Sequence, residues 1–185
     1  YVDSPLDWLK RLMPETEFDY IDCVSKGTYP KTMIWPEINK LYRNLRDYDF
    51  VLIFTGSRPT DDSEVFDRRS IQLDAVLEFA ITEAVRRNPN VAVVLQSGSA
   101  IGKGMWGDKT PAVLEMWLGG EGAGRAVAEG LTGAVNPSGK LSETFANDIR
   151  TDIDHIGNDT RIEYNEKWQV GYRYYDLHPG QIWFP

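Results

Sequence analysis

Four carboxylates crowd into one short stretch of this chain: Asp61, Asp62, Glu64 and Asp67. They belong to a run from Thr55 to Ser70, TGSRPTDDSEVFDRRS, which is rich in turn formers and follows the apolar segment Phe50-Val51-Leu52-Ile53-Phe54. Such grouping admits two kinds of behaviour. In a solvated acidic loop, Asp67 pairs locally with Arg68 or Arg69 and the rest face water. In a reactive loop, one carboxyl lies near other negative charges and is partly desolvated by Phe66 and a bound molecule. Its pKa then rises, it stays protonated near neutrality, and it can hand a proton to a bound molecule. Composition alone leans to the first.

The elements that must hold this loop are legible as periodicity. Phe50–Phe54 and Val91-Ala92-Val93-Val94-Leu95 are short, continuous apolar runs bounded by turn signals, as expected of parallel strands buried on both faces. Ala112–Trp117 is a third candidate strand and Asp19–Val24 a weaker fourth. Helices alternate with them. Pro36 suits a first helical turn followed by Ile38, Leu41, Tyr42 and Leu45. Asp74 can cap a helix carrying Leu77, Ala80, Ile81, Ala84 and Val85, which ends at Arg86-Arg87 before Asn88-Pro89. A further helix spans about Glu121 to Leu131, and Pro5 to Met13 forms a short opening one. The alternation predicts an α/β fold: a three-layer sandwich with a mostly parallel sheet flanked by helices, over residues 1–145. Residues 146–185 read as an irregular C-terminal tail wrapping the same domain. In an open sheet of this kind, loops beyond the strands' C-terminal ends form the binding crevice, so the acidic loop lies where chemistry is done.

Composition narrows the options. The 185 residues suit one domain with a sizeable core, and 42% hydrophobic content fits a globular chain. A net charge of -8, with acidic and basic residues interspersed, argues against nucleic acid as a partner. No apolar run is long enough to cross a membrane, and the first residues, YVDSPLDWLK, lack the features of a signal peptide. Localisation stays open, cytoplasmic and secreted alike. Cys23 is a single cysteine, so no internal disulfide forms. His155 and His178 stand apart from any ligand partners, so no metal and no cofactor is expected. Gly120, Gly122 and Gly124 have the wrong spacing for a dinucleotide fingerprint, which leaves a nucleotide-binding reading weak.

Several ordered strings point further. Glu121–Phe145 reads EGAGRAVAEGLTGAVNPSGKLSETF, a small-residue helix running into the turn Asn136-Pro137-Ser138-Gly139-Lys140-Leu141, where Gly133 and Gly139 admit backbone angles other residues resist. Val93–Ser99 reads VVLQSGS, Glu115–Glu121 reads EMWLGGE, and Tyr164–Asp176 reads YNEKWQVGYRYYD. Taken in order, they resemble the second domain of glycoside hydrolase family 3, the β-glucosidase family. That family has an NPSGKL or NPSGRL turn, a VVLxSGxP strand and turn, an AWYPGQ-type segment and a VGYRYYD run. Here Ser99-Ala100 replaces the usual continuation, Gly119 stands for Pro, and Lys167 for Gly.

What the resemblance implies is specific. Ser63-Glu64-Val65-Phe66-Asp67-Arg68 is similar to the family's EGxDR-type loop, with Val65 in place of Gly. Glu64 then matches the acid/base catalyst, with Asp61 and Asp62 next in line. Phe66 matches the loop's aromatic, and Asp67 and Arg68 the pair that structures the loop. Trp106, at the same crevice edge, could stack on a sugar ring as Phe66 could, although a lone Trp among six is more often core. Glu115 is a possible second crevice carboxylate, and Arg173 a possible buried ion-pair partner. The substrate implied is a β-glucoside or oligosaccharide. The family's nucleophilic Asp comes from an N-terminal barrel domain not present in this sequence, so the chain is expected to be a fragment, inactive alone, of a retaining exo-acting β-glycosidase. A non-catalytic carbohydrate-binding or scaffolding domain of the same fold is the alternative.

Overall fold

The computed structural model describes residues 3–21, 42–57, 68, 70–148, 157–158 and 160–185. Its centre is a three-stranded sheet in the order β1-β2-β3, formed by Val51–Gly56, Val91–Gln96 and Ala112–Glu115. Both pairings are parallel, with Val51 opposite Val91 and Val93 opposite Val113. This is the α/β arrangement that the alternating apolar runs predict.

β2 is the axis of the core. Val91, Val93 and Leu95 are buried on one face in a cluster with Ile81, Ala84, Ile101, Trp106 and Phe145. Val94 points to the opposite face, as strand alternation requires, and is buried there too. A strand covered on both sides has no polar face, which explains its unbroken apolar sequence.

β1 departs from expectation. The strand begins at Val51 rather than Phe50, and Phe50 and Phe54 are 73% and 45% exposed. Val51 and Ile53 do pack on the core. Among the described residues β1 pairs only with β2, and of its outward alternate positions Leu52 is half-buried and Phe54 exposed. An edge strand with one covered face can share the apolar composition of a central one, and composition alone does not separate them.

The helices follow their end signals. α1, Pro5–Leu12, opens on a capping box in which the Asp7 N–H donates to Ser4 Oγ at 3.1 Å and Ser4 N–H to the Asp7 carboxylate at 3.3 Å. The Ser4 hydroxyl, donating to the same carboxylate at 2.8 Å, and then the Ser4 N–H hold the Asp7 carboxyl below its ordinary pKa. α2, Ala75–Arg87, starts where Asp74 accepts from the Val76 N–H at 3.0 Å. It ends with Arg86 and Arg87 both paired to Glu83. α3, Ala123–Leu131, follows a 3₁₀ turn at Gly120–Gly122 and packs against α1. A Cβ at Gly124 would lie 2.1 Å from the Asp3 carbonyl oxygen, so only glycine permits this close approach. Trp8 of α1 lies between the guanidinium groups of Arg11 and Arg125, 4.8 and 5.4 Å from its ring centre.

After α3, Gly133 takes the left-handed φ of 75° expected of the turn, whereas Gly139 is not among the residues with positive φ. The tail carries short regular pieces. β5 and β6, Gly157–Asn158 and Arg161–Ile162, form a hairpin, and α4 spans Tyr172–Leu177. β7, Ile182–Phe184, pairs antiparallel with β4, Phe145–Ala146. Asn147 strengthens this junction, its N–H donating to the Gln181 carbonyl at 2.8 Å and its Nδ2 to the Gly180 carbonyl at 2.9 Å. Arg173 is exposed and lies over the Tyr172 ring at 4.8 Å, with no buried ion pair of its own among the described residues.

Candidate functional site

The C-terminal ends of β1, β2 and β3 lie side by side and form the crest of the sheet. At Gly56, the last residue of β1, a Cβ would sit 1.7 Å from the Gln96 carbonyl oxygen. Glycine therefore lets the two strand ends close before the acidic loop departs. Asp61, Asp62, Glu64, Phe66 and Asp67 lie outside the described residues. The loop is described again at Arg68.

Arg68 is the anchor. Its Nη1 donates to Ser99 Oγ at 2.5 Å and to the Ala100 carbonyl at 3.3 Å, both in the turn that follows β2. A guanidinium offers several donors in a rigid plane, so one side chain can grip a hydroxyl and a carbonyl together. The contact is made by the residue directly after Asp67. It brings the chain just after the acidic residues onto the β2 crest.

The turn is held from its other sides by two carboxylates. Ser97 is fully buried, and its hydroxyl donates to Glu115 Oε2 at 3.2 Å. The Ala100 N–H donates to Glu143 Oε1 at 2.8 Å. Glu115, at the end of β3, also accepts from the Trp117 N–H at 2.7 Å through Oε1. Trp117 has φ 52°, a left-handed conformation rare for a bulky residue, and its ring meets Phe145 edge-on at 5.8 Å. Sequence reasoning singled out Glu115; Ser97 and Glu143 lie inside the motif strings VVLQSGS and NPSGKLSETF without being singled out.

Burial pushes the Glu115 carboxyl above the ordinary carboxylate range, while the hydrogen bonds from Trp117 and Ser97 oppose the rise. The sign of the stability effect follows. A carboxyl with a raised folded pKa contributes fully below its unfolded pKa, and that contribution fades as pH climbs through the folded value. Glu115→Gln, which never ionises, is therefore expected to melt close to wild type at pH below about 4 and progressively above it toward neutrality. Thermal unfolding across pH tests this; a difference that stays constant with pH, or reverses sign, removes burial as the cause.

Trp106 does not line the crevice. It is 0% exposed, packed edge-on against Trp183 at 5.1 Å within the main core. A ring with no free face cannot stack on a sugar, so the sequence-based assignment of Trp106 to substrate gives way to a core role. The neighbouring turn explains its placement: Glu78 of α2, itself buried, accepts from the Met105 N–H at 3.2 Å. On the other side of β3, an open hollow of about 220 Å³ lies between Leu114–Met116 and α3, floored by Ala126, Val127 and Gly130.

Comparison with known proteins agrees with the fold. The family model for the glycosyl hydrolase family 3 C-terminal domain matches residues 1–175. The thermostable β-glucosidase B of Acetivibrio thermocellus is 37% identical over 151 residues, covering 80% of this chain and 20% of that protein. An exo-α-(1→6)-L-arabinopyranosidase of Bifidobacterium longum is 34% identical over 143 residues, or 76% of this chain and 19% of that one. The crystal structure of a Bifidobacterium adolescentis family 3 β-glucosidase superposes with a TM-score of 0.78 at 27% identity, covering 100% of this chain and 27% of its own. The chain thus spans about a fifth of the length of the curated relatives it matches. It belongs to glycoside hydrolase family 3, as the C-terminal domain of that family's enzymes.

Proposed function

We propose that this chain supplies the acid/base half of a retaining, exo-acting β-glycosidase that removes terminal β-D-glucosyl or related residues. The observation that carries the proposal is the grip of Arg68 on Ser99 and Ala100, which ties the stretch following Glu64 to the crest of the sheet. The motif match supports Glu64 as the acid/base, with Phe66 against the substrate and Asp67 and Arg68 shaping the loop. Relatives named for β-glucosidase and for arabinopyranosidase activity support a monosaccharide-sized glycone without fixing which one.

Glycoside cleavage needs charge at two points. As the C–O bond lengthens, the departing oxygen gathers negative charge and the anomeric carbon positive charge. Glu64, protonated, gives its proton to that oxygen. A nucleophilic Asp, expected from an N-terminal barrel domain of the same enzyme, attacks the anomeric carbon from the opposite side and forms a glycosyl ester. Glu64, now ionised, then takes a proton from water as the water displaces the carboxylate, and the configuration is retained.

Because retention needs two carboxyl groups about 5 Å apart, the 185-residue chain alone is expected to leave an aryl β-glucoside intact. The full-length enzyme is expected to hydrolyse it and release the β-anomer first, as followed by proton NMR. Turnover by the chain alone, or first release of the α-anomer by the whole enzyme, would overturn the assignment.

A further inference from the structure

We propose that the Ser97–Ala100 turn is the seat of the acid/base loop, and that Glu115 and Glu143 are positioning residues that fix this seat without touching substrate. The inference rests on the reading of Glu64 above and extends it to the residues that make its placement reproducible.

The contacts form a closed circuit. Ser97 reaches Glu115, and Glu115 reaches the Trp117 N–H. The Trp117 ring abuts Phe145, which follows Glu143 by two residues, and Glu143 returns to the Ala100 N–H. The circuit thus joins the loop after β2 to the loop after β3 and to the strand that receives the tail. Arg68 then binds Ser99 and the Ala100 carbonyl from outside it. The peptide group of Ala100 is gripped at one end by Glu143 and, within the same residue, by Arg68 at its carbonyl. A half-buried carboxylate such as Glu115 is costly unless donors satisfy it, and both its oxygens are engaged by donors of this chain. That leaves it suited to bracing and poorly placed for proton transfer.

The consequence for chemistry is one of distance. Glu64 precedes Arg68 by four residues, so it can lie no farther than about 14 Å along the chain from the anchored Cα. A shift of the seat is transmitted to the loop's root, and misplacement of a reacting group by about 1 Å costs roughly 100-fold in rate.

The test uses the full-length enzyme and a series of aryl β-glucosides of graded leaving-group ability. Glu115→Leu and Glu143→Leu are expected to lower kcat about 10- to 100-fold, with smaller changes in KM and the greatest losses on the poorest leaving groups. Glu115→Gln and Glu143→Gln are expected to recover to within about threefold of wild type, because an amide oxygen still accepts from the Trp117 or Ala100 N–H and the amide nitrogen can donate to Ser97. Ser97→Ala cuts the first link from its other end and reads the same effect if a leucine variant fails to fold. Should Glu115→Gln be as damaging as Glu115→Leu, the charge itself is required and the positioning role is wrong. Folded Ser97→Ala and leucine variants with wild-type kinetics would equally overturn it. If instead these variants lose rate while Glu64→Gln shows no dependence on leaving group, the error lies with Glu64 and the seat stands.

Discussion

Glu64→Gln in the full-length enzyme is expected to slow hydrolysis of glycosides with poor leaving groups by about 10²- to 10⁴-fold, the range that a general acid contributes. An activated substrate such as a dinitrophenyl glycoside departs without protonation, so formation of its glycosyl-enzyme should be nearly spared. The slow step then becomes attack of water, which lacks its base. Glu64→Ala, which also clears space, should regain turnover in added azide, an anion that attacks without giving up a proton, and the product should be the β-glycosyl azide. The acidic limb of the pH profile for kcat/KM should remain, and the basic limb assigned to the free acid should vanish. Equal loss for every leaving group, no azide product and an unaltered pH profile would shift the role to Asp62 or Asp61.

Trp106→Ala is expected to destabilise the protein by roughly 3–5 kcal/mol, because it removes a large, wholly buried ring from the packing around Trp183 and Ile101. Domains of this kind are stable by only about 5–15 kcal/mol, so the melting temperature should fall on the order of 10 °C. Trp106→Phe should cost less: it keeps most of the ring, and the indole N–H it discards is buried without a hydrogen-bond partner. KM of the folded fraction should stay near wild type for both. A raised KM with an unchanged melting temperature would return Trp106 to the substrate.

How far the chain could be read depended on whether a signal was local. The end of α2 was legible because Asp74 and the Arg86-Arg87 pair act on their own turns, through the Val76 N–H and through Glu83. β2 was legible because a strand covered on both faces must be apolar throughout. β1 was half legible: Val51–Gly56 is a strand, but the exposure of Phe54 depends on what lies across the sheet, which no short window encodes. Trp106 failed for a related reason, since a tryptophan beside a crevice and one beneath it have the same sequence. Arg68 was named by a motif, and the structure adds contacts of its side chain that the motif leaves unnamed. Ser97 and Glu143 lay inside motif strings, but their roles were not legible because their partners lie 18 residues away in one case and 43 in the other.

The pairing of β4 with β7, reinforced by Asn147, has a bearing on how this tail can diversify. It pins both ends of the segment between Asn147 and Gln181, so that whatever lies between is a closed excursion from the domain. The entropic cost of closing such an excursion rises only logarithmically with its length, by about 0.6 kcal/mol for each doubling. Insertions between the two strands are therefore thermodynamically cheap so long as the clasp survives. Lengthening or replacing this excursion is thus expected to leave the sheet, and the bracing of the turn after β2, with their geometry.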